Sequence, residues 1–236
     1  MRIAVLDDDP AQTSFVRDTL CAAGHVCHTY SAGRELVRQL HRETFDLLIL
    51  DWLVPDLSGE EVLRWVRTKL TERVPVIFMT ARDRESDIVS MLNAGADDYV
   101  VKPVTSRVLL ARVGSMLRRS YQLDAAPVKA VYGDFEFDLT TKQVHVKHQL
   151  VALTQKEFEL ALLLFQNVNR PLSRAHIVDM VWKLTADIPT RTMDTHVSML
   201  RTKLGLRPEN GYRLTPIYGY GYRLEQIGDE MNDADA

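Results

Sequence analysis

The chain has 236 residues, 46% of them hydrophobic and 26% charged, enough for two modest domains that each bury a core. Its longest apolar runs, such as Ile3-Ala4-Val5-Leu6 and the segment 160–165, are far too short to span a bilayer, and no signal-peptide pattern opens it. Two cysteines make no disulfide framework and fit a reducing cytoplasm, while a net charge of -3 does not advertise nucleic-acid binding, although 154–223 holds ten Lys/Arg against six Asp/Glu.

The first half alternates short apolar runs with amphipathic stretches. Strands are expected at Ile3–Leu6, Val26–Tyr30, Leu47–Leu50, Val76–Met79 and Tyr99–Val101, and helices near 10–23, 32–42, 59–70, 84–94 and 105–119. Runs this short and continuously apolar suit strands buried on both faces, which predicts a parallel sheet with helices on both sides. Asp9-Pro10 marks one helix start, and Ser58-Gly59-Glu60-Glu61 has capping-box spacing. The periodicity stops after Arg119 and a linker is expected over 121–128, so that 1–120 forms one domain.

From Val131 the pattern changes class. Phe135, Phe137, Val144, Val146 and Val151 suggest short antiparallel strands. Thr154-Gln155-Lys156-Glu157 is a second capping box, opening a helix to about Gln166. Ser173 caps a helix to about Trp182, a third runs from about Thr190 to Leu204, and Tyr212–Thr215 with Ile217–Leu224 form a closing hairpin. This gives a second domain over 129–228 and an acidic tail, 229–236, expected to be disordered.

The polar residues of the first half fall at strand ends. Asp7 and Asp8 follow the first strand, Asp51 the third, Thr80 the fourth and Lys102 the fifth. In an open parallel sheet these positions share the carboxyl edge, where such folds bind ligands. Any one of them is unremarkable as a cap or solvated side chain; all five at corresponding ends are not. Clustered carboxylates repel, and Mg²⁺ bound by carboxylates and phosphate oxygens relieves them. Asp51 then suits a carboxylate nucleophile toward phosphorus, with Lys102 neutralising charge.

Residues 2–119 resemble the response-regulator receiver family through Ile3-Ala4-Val5-Leu6-Asp7-Asp8-Asp9, the stretch 46–59, Val76-Ile77-Phe78-Met79-Thr80-Ala81-Arg82, and Gly95-Ala96-Asp97-Asp98-Tyr99-Val100-Val101-Lys102-Pro103. The resemblance implies a flavodoxin-like, doubly wound, five-stranded domain whose Asp51 accepts a phosphoryl group from a sensor histidine kinase. It implies Mg²⁺ held by Asp7, Asp8, Asp51 and the Leu53 carbonyl, Thr80 and Tyr99 as a switch pair, Lys102 on the phosphate, and a cis Lys102-Pro103 bond. It also implies a homodimer through ion pairs of Asp98 with Arg112 and Asp97 with Arg119. Where relatives carry a third pair this chain has Ile88 and Val108, which either make the dimer centre apolar or extend their own helix cores.

The segment 154–224 resembles the winged helix-turn-helix effector of the OmpR/PhoB family. The residues that carry the likeness are 153–160, Leu172-Ser173-Arg174, Val181-Trp182, 191–205 and Gly219-Tyr220-Gly221-Tyr222-Arg223-Leu224. The resemblance implies an α+β domain binding promoter DNA, the third helix in the major groove. Met193, Val197, Leu200 and Leu204 form its buried stripe. Arg191, Arg201 and Lys203 are expected on phosphates, and Thr192, Thr195, Ser198, Met199 and Thr202 toward bases. Ser198 and Met199 replace frequent arginines, as Tyr218 does at the wing, which implies a shallow salt dependence; Met199 offers a contact to a thymine methyl. His145 and His148 lack cysteine partners, and zinc is not expected.

The reading is a cytoplasmic, phosphorylation-switched transcription regulator with no membrane partner and no conventional enzyme activity beyond Mg²⁺-dependent self-phosphorylation and slow autodephosphorylation. An alternative has the effector bind RNA polymerase or another protein instead of specific DNA. A stand-alone aspartyl-phosphate phosphatase would leave 129–228 without a role.

Overall fold

The structure is a computed structural model and describes residues 1–121, 128–182 and 190–227, with backbone only for 190 and 191. Most of the expected linker, 122–127, and the tail 229–236 lie outside these residues, as does the Arg191 side chain. The chain divides into two compact units, Met1–Asp124 and Ala125–Ala236.

The first unit runs β1 (Arg2–Leu6), α1 (Pro10–Ala22), β2 (Val26–Tyr30), α2 (Gly33–Leu40), β3 (Leu47–Leu50), α3 (Gly59–Lys69), β4 (Val76–Thr80), α4 (Glu85–Asn93), β5 (Asp98–Val101) and α5 (Ser106–Tyr121). All strands are parallel, in the order β2-β1-β3-β4-β5. This is the doubly wound, flavodoxin-like order, whose switch point lies between β1 and β3. The apolar runs are buried along their length because helices cover both faces. Phe45, Leu48, Leu50, Phe78 and Tyr99 pack on one side, and Ile3, Val5, Ile49, Ile77 and Leu109 on the other. Helix starts are where the capping signals place them. Asp9 accepts from the Ala11 amide, and Ser58 and Glu61 close a reciprocal box at α3. Gly59 cannot be replaced cheaply, because a Cβ there would lie 2.0 Å from the Asp51 carbonyl oxygen.

The second unit opens with an antiparallel sheet of β6 (Lys129–Tyr132), β7 (Phe135–Asp138), β8 (Gln143–Val146) and β9 (Gln149–Val151). There follow α6 (Gln155–Gln166), β10 (Leu172–Ser173), α7 (Arg174–Trp182), α8 (Thr190–Lys203), β11 (Tyr212–Ile217) and β12 (Gly221–Gln226). It is an α+β winged helix: among the described residues three α-helices accompany a sheet of order β10-β12-β11. Phe135, Phe137, Phe158, Phe165 and Tyr212 meet in its core with ring centroids 4.8–5.9 Å apart. The hairpin differs from expectation at Pro216, which continues β11 and pairs with Tyr222. β11 is an edge strand, so the missing amide costs no ladder bond. The two-residue β10 had no sequence signal of its own, and it brings the Leu172 carbonyl oxygen to 2.0 Å from a would-be Cβ at Gly221.

Candidate functional site

The carboxyl ends of β1, β3 and β5 converge on one ammonium. Lys102 Nζ donates to Asp7 Oδ2 and to Asp51 Oδ2, both at 2.6 Å. Asp7 is buried, Asp51 half-buried and Asp8 exposed, and the three carboxylates each offer an oxygen within 4.8 Å of the others. Burial raises the pKa of Asp7 by more than its bonds to Lys102 and the Asp9 amide lower it. Burial also pulls on Lys102, in the opposite sense, but its bonds to Asp51 and Asp7 prevail and its pKa is raised. The pocket therefore holds three acids against one cation, and burial holds Asp7, the most enclosed of them, above the usual carboxylate range. An all-oxygen donor set of this kind suits a hard divalent ion such as Mg²⁺.

Thr80 is buried at the end of β4, and Tyr99 is buried in β5 stacked on Phe78 at 6.3 Å. The Tyr99 hydroxyl donates to the Arg82 carbonyl at 3.0 Å, and burial raises its pKa. Leu53 exposes its side chain beside the pocket and its amide reaches Asp51 Oδ1 at 3.4 Å. The Lys102-Pro103 bond is cis. Sequence reasoning missed Arg82, whose guanidinium lies 4.5 Å over the Trp52 ring and 3.7 Å from Asp87. It joins the residue after Asp51 to α4 and to Tyr99. Its position two residues past Thr80, at a strand end, was the available signal.

On the face of α4, β5 and α5, Arg112 Nη1 binds Asp98 within the chain at 3.0 Å. Asp97 is engaged inside its own domain, by Arg67 at 2.7 Å, Arg73 at 3.0 Å and the Val76 amide at 2.8 Å. Arg119 is exposed. Val108 is exposed, but Ile88 packs partly against the core with Met91, and α4 instead presents Val89 and Leu92. The apolar surface thus comprises Val89, Leu92, Val101 and Val108.

In the second unit Met193, Val197, Leu200 and Leu204 are buried, while Thr192, Thr195, Ser198, Met199 and Thr202 face outward. Two of the expected cations are committed within the fold. Lys203 Nζ holds both oxygens of Glu157 at 2.8 Å, and Arg201 Nη2 donates to the Leu214 carbonyl at 2.9 Å. Both are structural ties of α8, a role their positive charge alone did not reveal. Burial acts to raise Glu157, but Lys203 and the Thr154 bonds outweigh it and hold its pKa below the ordinary range. A further tie is Asp194, whose Oδ1 accepts from Arg174 at 2.6 Å and from the Tyr222 hydroxyl at 2.7 Å. α8 is thereby fixed against the hairpin, whose tip carries the fully exposed Tyr218.

Residues 3–114 match the model of the response regulator receiver domain, and residues 148–224 that of the C-terminal domain of transcriptional regulatory proteins. The chain is 39% identical over 225 residues to the phosphate regulon transcriptional regulatory protein PhoB of Rhizobium meliloti (strain 1021), covering 95% of this chain and 98% of that protein. It is 33% identical over 225 residues to the sensory transduction protein RegX3 of Mycobacterium tuberculosis (strain ATCC 25618 / H37Rv), covering 94% and 98%. Among solved structures, the response regulator DrrB of Thermotoga maritima, an OmpR/PhoB homologue, is 29% identical over 95% of this chain and 98% of that one, with a TM-score of 0.47. Among the described residues, no helix is long and apolar enough to cross a membrane.

Proposed function

Because this chain belongs to the OmpR/PhoB family of response regulators, we propose that it is switched by phosphorylation of Asp51 and then binds promoter DNA as a dimer. Its general role is transcription regulation; the phosphoryl chemistry, the dimer and the cytoplasmic setting are what the proposal adds. One observation carries it: Lys102 bridges Asp51 and Asp7 at 2.6 Å each, at the switch point of the sheet, with Asp8 beside them.

In the proposed reaction a sensor histidine kinase presents a phosphohistidine, and an Asp51 carboxylate oxygen attacks its phosphorus as the bond to the imidazole nitrogen breaks. Lys102 is already within bonding distance of that carboxylate and neutralises the arriving charge. Mg²⁺ held by Asp7, Asp8, Asp51 and the Leu53 carbonyl would neutralise phosphoryl oxygens. A phosphoryl group adds close to two negative charges and three acceptors. Thr80, buried at the neighbouring strand end, supplies a hydroxyl to meet them, and Tyr99 is bonded to Arg82, which reaches Asp87 of α4. The readout surface is the α4–β5–α5 face, with Asp98, Arg112, Asp97, Arg119 and Val108 in a dimer. In the effector, Thr192, Thr195, Ser198, Met199, Thr202 and Tyr218 face DNA, with Arg191 on phosphate and RNA polymerase as a further partner. Arg201 and Lys203 support α8 from within.

Sedimentation velocity with Mg²⁺ and beryllofluoride, a phosphoryl mimic, tests the switch. The chain should pass from monomer to dimer, and Asp51→Asn should remain monomeric. A mimic that binds without changing the sedimentation coefficient would remove the dimer from the proposal.

A further inference from the structure

The outward face of α8 carries no charged side chain among its described central residues. Thr195, Ser198, Met199 and Thr202 lie opposite the buried stripe of Met193, Val197, Leu200 and Leu204. The flanking cations are engaged within the fold, Lys203 with Glu157 and Arg201 with the Leu214 carbonyl. Thr202 spends its hydroxyl proton on the Ser198 carbonyl, at 3.2 Å within its own helix. Met199 is 44% exposed and is the largest apolar group on this face. Its flexible, polarizable thioether is the apolar group that this face can offer a partner.

A helix fits the major groove of B-DNA, and there each base pair has its own pattern of groups. Guanine is read best by a forked cation and adenine by a side-chain amide; between Thr195 and Thr202 the described outward residues supply neither. The one apolar group that the major groove offers is the 5-methyl of thymine. We infer that Met199 is the specificity-determining residue of this effector and that it reads thymine by that methyl group. Selectivity then comes from apolar contact and hydroxyls, within a site rich in A·T pairs where α8 docks. The inference rests on the proposed reading of α8 as the helix that enters DNA, and adds which base it selects and by which atom.

The test uses the full chain with Mg²⁺ and beryllofluoride. Duplexes are first selected from a random pool for tight binding. Each thymine of the selected site is then replaced, one at a time, by deoxyuridine, which lacks only the 5-methyl group. Binding should weaken about fourfold at one or two positions per half-site, the factor that burying a single methyl group confers. Met199→Ala should bind the thymine site more weakly and show no difference between thymine and deoxyuridine there, while Met199→Leu should keep most of the discrimination. Being exposed, Met199 can be changed without opening the core. A wild-type chain indifferent to every deoxyuridine, or a thymine preference that persists in Met199→Ala, overturns the inference and leaves DNA binding intact. A pool that yields no enriched sequence overturns sequence-specific binding itself, and this inference with it.

Discussion

Asp7 shows how one buried side chain sets the terms of the pocket. Its pKa is raised above that of an unfolded Asp, near 4, chiefly by burial. A carboxyl raised on folding contributes its stability in the acid form, fully present below the unfolded pKa and lost as pH rises through the folded one. At neutral pH the ionised Asp7 is therefore a liability that a bound cation removes. Mg²⁺ is expected to raise the receiver's melting temperature by several degrees at about pH 7.5 and by little at about pH 4.5. Asp7→Asn should melt higher than wild type without metal at neutral pH, yet bind Mg²⁺ roughly tenfold more weakly or worse. Equal Mg²⁺ stabilisation at both pH values, read by calorimetry, would exclude this account. That Asp7, Asp8, Asp51, Thr80 and Lys102 belong together was legible in the sequence, because strand ends in a parallel sheet share an edge. The role of Arg82 was not, since its contacts to Trp52 and Tyr99 join residues far apart in the chain.

At the scale of elements, an ion pair ties α6 to α8 beside the apolar core that the two helices share. Glu157 closes the cap of α6 and receives Lys203 from the last turn of α8. The Glu157 side chain is 1% exposed and its partner 33%. Glu157→Gln keeps the size but removes the charge, which is expected to cost about 2 kcal/mol, a fall of roughly 10 °C for a domain of this size. Scanning calorimetry of the full chain should show the effector transition move and the receiver transition stay. Because folding lowers the Glu157 pKa, its contribution is present above the unfolded value, near 4.3, and is lost as pH falls through the folded one. The difference between wild type and Glu157→Gln should accordingly shrink in acid; a constant difference would point to the loss of hydrogen-bond geometry instead. The capping box itself was readable from Thr154 and Glu157. Its second use was not, because Lys203 lies 46 residues on and reads as one more basic residue of a DNA-facing helix. α4 illustrates the same limit. Ile88, Val89, Met91 and Leu92 form one broad apolar stripe on a nine-residue helix, so spacing could not decide which of its edges faced inward. The structure packs Ile88 and Met91 against the core and exposes Val89 and Leu92.

At the scale of the molecule, Asp97, Asp98 and Arg112 on the surface of α4, β5 and α5, the face proposed for the dimer, are engaged within the chain. Asp98 and Arg112 are bonded to each other, and Asp97 already has Arg67 and Arg73. An exposed pair adds only about 0–1 kcal/mol, so exchange of these partners across a dimer gains little. Val89, Leu92, Val101 and Val108 are 38–48% exposed and form the apolar part of that face. Val108→Glu places a desolvated charge at the centre of the proposed contact and is expected to weaken the beryllofluoride-dependent dimer at least about tenfold. Ile88→Glu tests something else: it should lower receiver stability, because Ile88 packs on the core. The coupling to DNA follows. Linking two effectors through a receiver dimer raises the effective concentration of the second one, with gains of about 10²–10⁴ at paired half-sites. Val108→Glu should retain wild-type affinity for a single half-site and lose that gain on the paired one, as read by titration of both duplexes. Loss on the single half-site as well would mean that the receiver acts on α8 directly, and not through the dimer.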